Sequence, residues 1–139
     1  MKLKFSLTNF LLVLLSALTL QSNAQTNKDL STADSLFSGV WKGSSICQVK
    51  NSPCHDENVV FYISKASKNN VLEVNGNKIV NGEEAEMGKI QFQYDPKTKQ
   101  ITSTSQPSSI WKLERKQNAI EGTLYSNNVL FRIIKLTKK

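Results

Sequence analysis

Residues 38–49 read SGVWKGSSICQV, and a second cysteine, Cys54, follows shortly after them. Small residues surround one large aromatic residue, Trp41, and the stretch ends near turn-forming residues. This composition is typical of a β-strand that places an aromatic ring in a core before the chain reverses. We therefore predict that the stretch forms the first strand of an all-β domain.

The first 24 residues have the features of a signal peptide. Lys2 and Lys4 form a basic start, residues 10–20 are almost entirely apolar, and small residues precede Gln25. The apolar run is shorter than the roughly 20 residues that span a bilayer, and this order of segments is that of a cleaved signal. We expect residues 1–24 to be removed and the product to be periplasmic or extracellular, with no membrane insertion. A retained membrane helix is the alternative.

Cleavage leaves about 115 of the 139 residues, which is a typical length for one domain. The full chain has a net charge of +7, and its basic residues are scattered through every segment. Scattered lysines favour solvated strand faces over a nucleic-acid site, so we expect no nucleic-acid partner. We predict a flexible leader over residues 25–37, with room for one short helical turn, and a single barrel domain over residues 38–139.

An exported chain holds its cysteines in an oxidising compartment, where disulfides form. Cys47 and Cys54 flank the sequence Asn51-Ser52-Pro53, which is typical of a turn. A reversal there brings the two sulfur atoms together, so we predict a Cys47–Cys54 disulfide, with free thiols as the alternative. Closing so short a loop contributes about 2 kcal/mol, and its main effect is to fix the turn.

The rest of the chain alternates between β-rich runs and turn residues. Gly76 interrupts the third run and predicts a bulge or a bend, while Asn127-Asn128 predicts a tight hairpin turn. Eight strands at hairpin spacing expose two long edges unless the sheet closes on itself. We therefore predict an antiparallel up-and-down barrel of about eight strands, with a two-sheet β-sandwich as the alternative. The predicted strands cover residues 38–49, 58–63, 71–80, 89–94, 101–105, 110–115, 120–125 and 129–136.

Gly39-Val40-Trp41 resembles the Gly-X-Trp signature that opens the first strand of lipocalins and their relatives, the calycins. In that superfamily the tryptophan plugs the closed end of the barrel, and an arginine near the end of the last strand packs across it. The resemblance implies a lipocalin-like barrel in which Gly39, Trp41 and Arg132 form the barrel-closing motif. A guanidinium stacks well on an indole face, so the pairing is physically reasonable.

Metal-ligating residue types occur together at Cys47, Cys54, His55, Asp56 and Glu57. A zinc or copper site there needs both thiolates, which the predicted disulfide removes. We expect no metal and no cofactor, and we interpret the segment from His55 to Glu57 as a polar start to the second strand.

A second acidic cluster comprises Glu83, Glu84 and Glu86, but its spacing does not match a calcium-binding EF-hand loop. We predict a solvated connection there. His55 is the only histidine, and no Gly-X-Ser-X-Gly elbow is present. We therefore assign no catalytic residue and expect the protein not to be an enzyme.

The inward strand faces would carry any binding function. Two hypotheses remain: a secreted lipocalin-like carrier of a small hydrophobic molecule, or a module that binds an exported protein. Small periplasmic barrel inhibitors of bacterial metalloproteases are similar in size, disulfide and Gly-X-Trp strand, and there the leader would block a protease. A cavity favours the carrier, whereas a packed core with an ordered leader favours the inhibitor. The candidate pocket-lining residues, which otherwise only fill the core, are Phe92, Tyr94, Trp111, Leu113, Leu130 and Ile134.

Overall fold

The structure is a computed structural model that describes residues 32–66 and 71–139. The predicted signal peptide therefore lies outside the described residues. A short helix, α1 (residues 32–37), precedes eight β-strands. The strands are β1 (Gly39–Cys47), β2 (Glu57–Lys65), β3 (Val71–Val80), β4 (Glu83–Asp95), β5 (Gln100–Ser103), β6 (Ser109–Lys116), β7 (Ala119–Ser126) and β8 (Val129–Lys138).

Each strand pairs antiparallel with the next, and β1 also pairs with β8, so the sheet is a closed barrel. Trp41 lies opposite Lys138 across this seam, and Cys47 lies opposite Arg132. Every strand therefore has a partner on both sides, although β4 pairs with β5 only from Phe92 to Asp95. Pairing on both sides limits the edge-to-edge association that threatens an open sheet. The predicted all-β, up-and-down barrel is confirmed, and the β-sandwich alternative is not the fold.

Tight turns connect the strands where the sequence predicted them. Asn127 and Asn128 adopt φ values of 49° and 65°, as the predicted hairpin requires. The turn after β4 is held by Asp95, whose Oδ1 accepts a hydrogen bond of 2.9 Å from the backbone N–H of Lys97. The predicted bulge at Gly76 is confirmed, because the β3–β4 register shifts between Gly76 and Asn77.

The seam between β1 and β8 depends on a glycine. A Cβ atom built at Gly43 would lie 1.9 Å from the backbone oxygen of Lys135. No side chain fits at that distance, so the missing Cβ allows the first and last strands to approach closely. Closure of the barrel therefore requires glycine at position 43.

Strand β4 is longer than predicted. Glu83, Glu84 and Glu86 belong to β4, and only Asn81 and Gly82 form the turn. The three glutamates are solvated as predicted, since all are exposed, but they lie in a strand and not in a connection. The sequence did not reveal this part of the strand because an exposed segment shows no alternating apolar face.

The hydrophobic core lies inside the barrel and continues into α1. Ala33 and Phe37, on α1, are fully buried together with Trp41. Residues 32–37 are thus part of the barrel domain and not of a flexible leader, while residues 25–31 lie outside the described residues. Each large apolar side chain in the core contributes about 1.5–3 kcal/mol. The other buried core residues include Val59, Phe61, Ile63, Leu72, Val74, Phe92, Tyr94, Ile101, Leu113, Ile120, Leu124, Ile134 and Leu136.

Candidate ligand site

The closed end of the barrel is built around Trp41, whose side chain is fully buried. Its indole Nε1–H donates a hydrogen bond of 2.6 Å to the backbone oxygen of Phe37 at the end of α1. The guanidinium carbon of Arg115 lies 4.7 Å from the ring centroid, and Lys138 Nζ lies 5.5 Å from it. Two cations over one indole are a favourable arrangement, because the ring face carries partial negative charge.

Arg132 does not contact Trp41, which corrects the expected closing motif. In the antiparallel β1–β8 register, Trp41 pairs with Lys138, whereas Arg132 pairs with Cys47 at the other end of β1. The arginine that packs on the indole is Arg115 at the end of β6. The arginine–tryptophan contact that the resemblance implied is therefore present, but a different strand supplies the arginine.

Gly39 of the Gly-X-Trp signature also has a specific role. Its φ is +130°, and a Cβ atom there would lie 3.0 Å from Lys138 Cε. The absent side chain leaves the space through which Lys138 reaches Trp41. Gly39 and Trp41 thus act together at the closed end.

The open end of the barrel carries a charged cluster that we call the rim cluster: Glu57, Lys78 and Arg132. Arg132 Nη1 lies 3.3 Å from Glu57 Oε2, and Lys78 Nζ lies 4.0 Å from Glu57 Oε1. Arg132 Nη1 also lies 3.2 Å from both the backbone oxygen and Oγ of Ser45 and 3.3 Å from the backbone oxygen of His55. The Arg132 and Glu57 side chains are only 11% and 15% exposed. Their charges therefore compensate each other within the rim.

The predicted disulfide is confirmed: Cys47 and Cys54 are bonded, with their Cα atoms 5.9 Å apart. Cys54 lies in the loop before β2, not in the strand itself. The backbone N–H of Cys47 donates to Asp56 Oδ1 at 2.9 Å. The disulfide, this hydrogen bond and the Arg132 contact to His55 together tie the β1–β2 loop to the rim.

A cavity of about 240 Å³, partly open to solvent, is lined by residues of β2, β3, β4, β6 and β7 and of the β5–β6 connection. Its wall is mainly apolar and contains three aromatic residues, of which Phe61 and Trp111 meet edge to face with ring centroids 6.1 Å apart. The polar contributors are Gln106 and Ser109, from the β5–β6 connection and the start of β6. The lining residues are Phe61, Val74, Gly76, Met87, Gly88, Ile90, Phe92, Gln106, Ser109, Trp111 and Leu124.

The structure places the six predicted lining residues in three different environments. Phe92 and Trp111 line the cavity. Tyr94, Leu113 and Ile134 are buried in the core and do not line it. Leu130 lies on the outer face, beside a separate depression.

A β-bulge explains the misplacement of Leu130. The β7–β8 register shifts between Leu124 and Tyr125, so that Leu124 pairs with Arg132 and Tyr125 pairs with Leu130. Phe131 is the extra residue, and it moves Leu130 to the face opposite that of Ile134. Strict alternation along β8 predicted one shared face, which the bulge breaks.

Several lining residues were not identified from the sequence. Phe61 and Val74 lie on predicted strands at alternating positions, so their inward direction could have been read from the period of two, as it was for Ile90, which shares a face with Phe92 and Tyr94. Met87 has no such signal, because it lies in the acidic stretch and is the extra residue of the β3–β4 bulge. Gly76 and Gly88 contribute to the cavity by having no side chains.

The outer depression has a volume of about 320 Å³ and lies over β6, β7 and β8. Leu130 and Ile133 provide its apolar part. Charged side chains of both signs surround them: Lys112, Lys135, Glu114 and Glu121. The depression is an open groove on the sheet surface and does not lead into the barrel.

The acidic stretch makes a hydrogen-bonded network on the outer face. Glu84 accepts hydrogen bonds from Asn77 Nδ2 at 2.8 Å and from the Tyr62 hydroxyl at 2.9 Å. Both bonds lower the pKa of Glu84, with the Asn77 bond the larger cause, and the carboxylate in turn raises the pKa of Tyr62. Within residues 32–66 and 71–139, no group of three or more His, Cys, Asp or Glu side chains is arranged to hold a metal ion.

None of the helices in the described part of the chain has the length and apolar character needed to cross a membrane. Comparison of the sequence with protein-family models and with curated proteins finds no match, and comparison with solved structures finds none either.

Proposed function

We propose that the protein is an exported, lipocalin-like binding protein that holds a small hydrophobic molecule inside its barrel. The observation that carries the proposal is the 240 Å³ cavity and its mainly apolar wall. Apolar ligands bind in such pockets because burial removes their apolar surface from water.

The closed end supports the lipocalin-like part of the proposal. Trp41 plugs the barrel beneath an arginine, as in the superfamily that the Gly-X-Trp signature resembles. Export is supported by the Cys47–Cys54 disulfide, because such bonds persist in oxidising compartments. The apolar start of the sequence supports it too.

The protein-interaction hypothesis has less support. It predicted an ordered leader and a packed core without a cavity. The first prediction agrees with α1, because residues 32–37 are ordered and bury Ala33 and Phe37. The second does not agree with the cavity of about 240 Å³. The cavity therefore favours the carrier.

The test is native mass spectrometry of the protein purified from its own host's envelope, with a variant that fills the cavity. Gly76 suits this purpose because its φ is not positive and a Cβ atom there would make ordinary contacts of 3.5 Å with Met87 and Phe61. The remainder of a leucine side chain would extend into the cavity. We expect wild type to carry a co-purified small molecule and Gly76→Leu to lack it.

Gln93→Leu is the matched control, because it adds an apolar side chain at an exposed position of β4. It should retain the bound molecule. Circular dichroism should show the same barrel in all three proteins. If wild type carries no small molecule and also fails to bind apolar fluorescent probes, the carrier function is wrong.

A further inference from the structure

The cavity restricts the kind of molecule that it can hold, first by size. Its volume is about 240 Å³. An apolar protein cavity of about 150 Å³ accommodates one benzene molecule, and pockets for drug-sized ligands begin at about 300 Å³. The space therefore suits a compact molecule of one or two rings, and a long acyl chain would have to protrude through the open end.

The shape of the wall is the second restriction. Gly76 and Gly88 are direct partners across β3 and β4, and neither carries a side chain. A Cβ atom at Gly88 would meet nothing within 4 Å, so backbone borders open space there, whereas Met87 and Phe61 lie 3.5 Å from a Cβ position at Gly76. Strand glycines of this kind often occur where a ligand approaches the backbone closely. Phe61, Phe92 and Trp111 supply ring faces and edges elsewhere in the same cavity. Flat rings pack on such surfaces with more contact than a flexible chain does.

Charge is the third restriction. No charged side chain lines the cavity in the described part of the protein. The residues of the rim cluster do not line it either, and Glu57 there lies 3.3 Å from Arg132 and 4.0 Å from Lys78. A ligand charge in the cavity would lose its hydration without gaining a partner, which is strongly unfavourable. Gln106 and Ser109 can instead hydrogen-bond one neutral polar group near the open end.

From these three restrictions we propose that the cavity binds a neutral, flat molecule of one or two rings with a single hydrogen-bonding substituent. This inference rests on the proposed function, since it names the ligand class for the same cavity. It assigns the rings to the space between the glycine wall and Trp111, and the substituent to Gln106 and Ser109.

Three probes of nearly equal size test it by isothermal titration calorimetry on the full mature protein. The first, 2-naphthol, is a neutral two-ring molecule with one hydroxyl. The second, 1-decanol, has the same numbers of carbon and oxygen atoms in a flexible chain, and the third, 2-naphthoate, has the same rings with a negative charge. We expect 2-naphthol to bind at least about tenfold more tightly than either of the others, a difference of about 1.4 kcal/mol.

Two variants locate the bound probe. Gly76→Leu should abolish 2-naphthol binding, whereas Leu130→Ser, in the outer depression, should leave it unchanged. The indole N–H resonance of Trp111 should shift on titration of wild type. If Leu130→Ser removes binding and Gly76→Leu does not, the probe occupies the outer face and the inference is wrong.

The outcomes separate this inference from the proposed function. Equal binding of 1-decanol would contradict the flat-ring requirement, and equal binding of 2-naphthoate would contradict the neutral requirement. In either case the cavity would still be a ligand site. If none of the probes binds wild type and no small molecule co-purifies with it, the inference and the proposed function are both overturned.

Discussion

Arg115 lies over the indole ring of Trp41, with its guanidinium carbon 4.7 Å from the ring centroid. Its Nη1 also donates to the backbone oxygen of Ala119 at 3.0 Å. Trp41 belongs to β1 and Arg115 to β6, which are not neighbours in the sheet. The contact therefore joins two parts of the barrel wall across the closed end, where hydrogen bonds between adjacent strands do not reach.

Replacing this arginine should weaken the closed end. We expect Arg115→Met to lower the free energy of unfolding by about 1–2 kcal/mol, because it removes a cation–π contact and one hydrogen bond while keeping an unbranched apolar stem. Urea denaturation followed by tryptophan fluorescence measures the change. Lys112→Met, at an exposed position of the same strand, is the control and should have little effect. Equal stability of Arg115→Met and wild type would show that the contact does not stabilise the barrel.

The stability that the rim cluster provides should depend on its two partly buried residues, Glu57 and Arg132. We expect Glu57→Gln to cost about 2–4 kcal/mol, because Arg132 would keep its charge at an 11% exposed position without a carboxylate. Urea denaturation of the single variant and of Glu57→Gln combined with Arg132→Met measures this. The double variant should recover part of the loss, since the only charge it leaves in the cluster is that of Lys78, whose side chain is 40% exposed.

An exposed ion pair provides the comparison for the rim. Glu73 and Lys89 lie 3.2 Å apart, and their side chains are 33% and 57% exposed. Glu73→Gln should cost no more than about 1 kcal/mol, as is usual for surface pairs. A loss in Glu57→Gln as small as that in Glu73→Gln would mean that the rim cluster is solvated.

Barrel closure should fail when Gly43 gains a side chain. We expect Gly43→Ala to cost more than about 3 kcal/mol or to prevent folding, because its Cβ would lie 1.9 Å from the backbone oxygen of Lys135. Gly76→Ala is the control, since its Cβ would make only ordinary contacts. Thermal denaturation of both variants measures the difference. If Gly43→Ala is as stable as Gly76→Ala, β1 and β8 do not approach as closely as described.

Local chemistry made most of the fold predictable. Alternation in segments such as Ile90 to Tyr94, together with turn-forming asparagines such as Asn127 and Asn128, located the strands and their reversals. Closure followed because consecutive hairpins leave two edges unless the ends meet. The disulfide followed from two cysteines on either side of a turn.

Contacts between distant strands were less predictable. To choose Arg115 over Arg132 as the partner of Trp41, one must know which residues of each strand lie at the closed end of the barrel. The spacing of residues in the sequence does not give that information. Bulges hid two further facts, since Phe131 moves Leu130 to the outer face and Met87 enters the cavity from a polar stretch. A bulge changes which residues face inward without altering composition, so a period of two cannot reveal it.

The hydrogen bonds to Glu84 predict that the folded state loses stability as the pH falls. Hydrogen bonds from Asn77 and Tyr62 hold the pKa of Glu84 below its ordinary value of 4.5. A carboxyl group with a lowered pKa in the folded state stabilises that state above its ordinary pKa, and the contribution is lost as the pH falls through the lower, folded value. Glu84→Gln should therefore lose less stability than wild type when urea denaturation at about pH 7 is compared with about pH 3.

Tyr62→Phe tests the cause of this dependence. It removes one of the two hydrogen bonds to Glu84 and leaves the one from Asn77, which has the larger effect on the pKa. The stability that Tyr62→Phe loses between about pH 7 and about pH 3 should therefore lie between the losses of wild type and of Glu84→Gln. Other carboxyl groups with lowered pKa values, such as Asp95, contribute equally in all three proteins and cancel in the comparison. Identical acid losses in wild type and Glu84→Gln would show that the network does not stabilise the folded carboxylate.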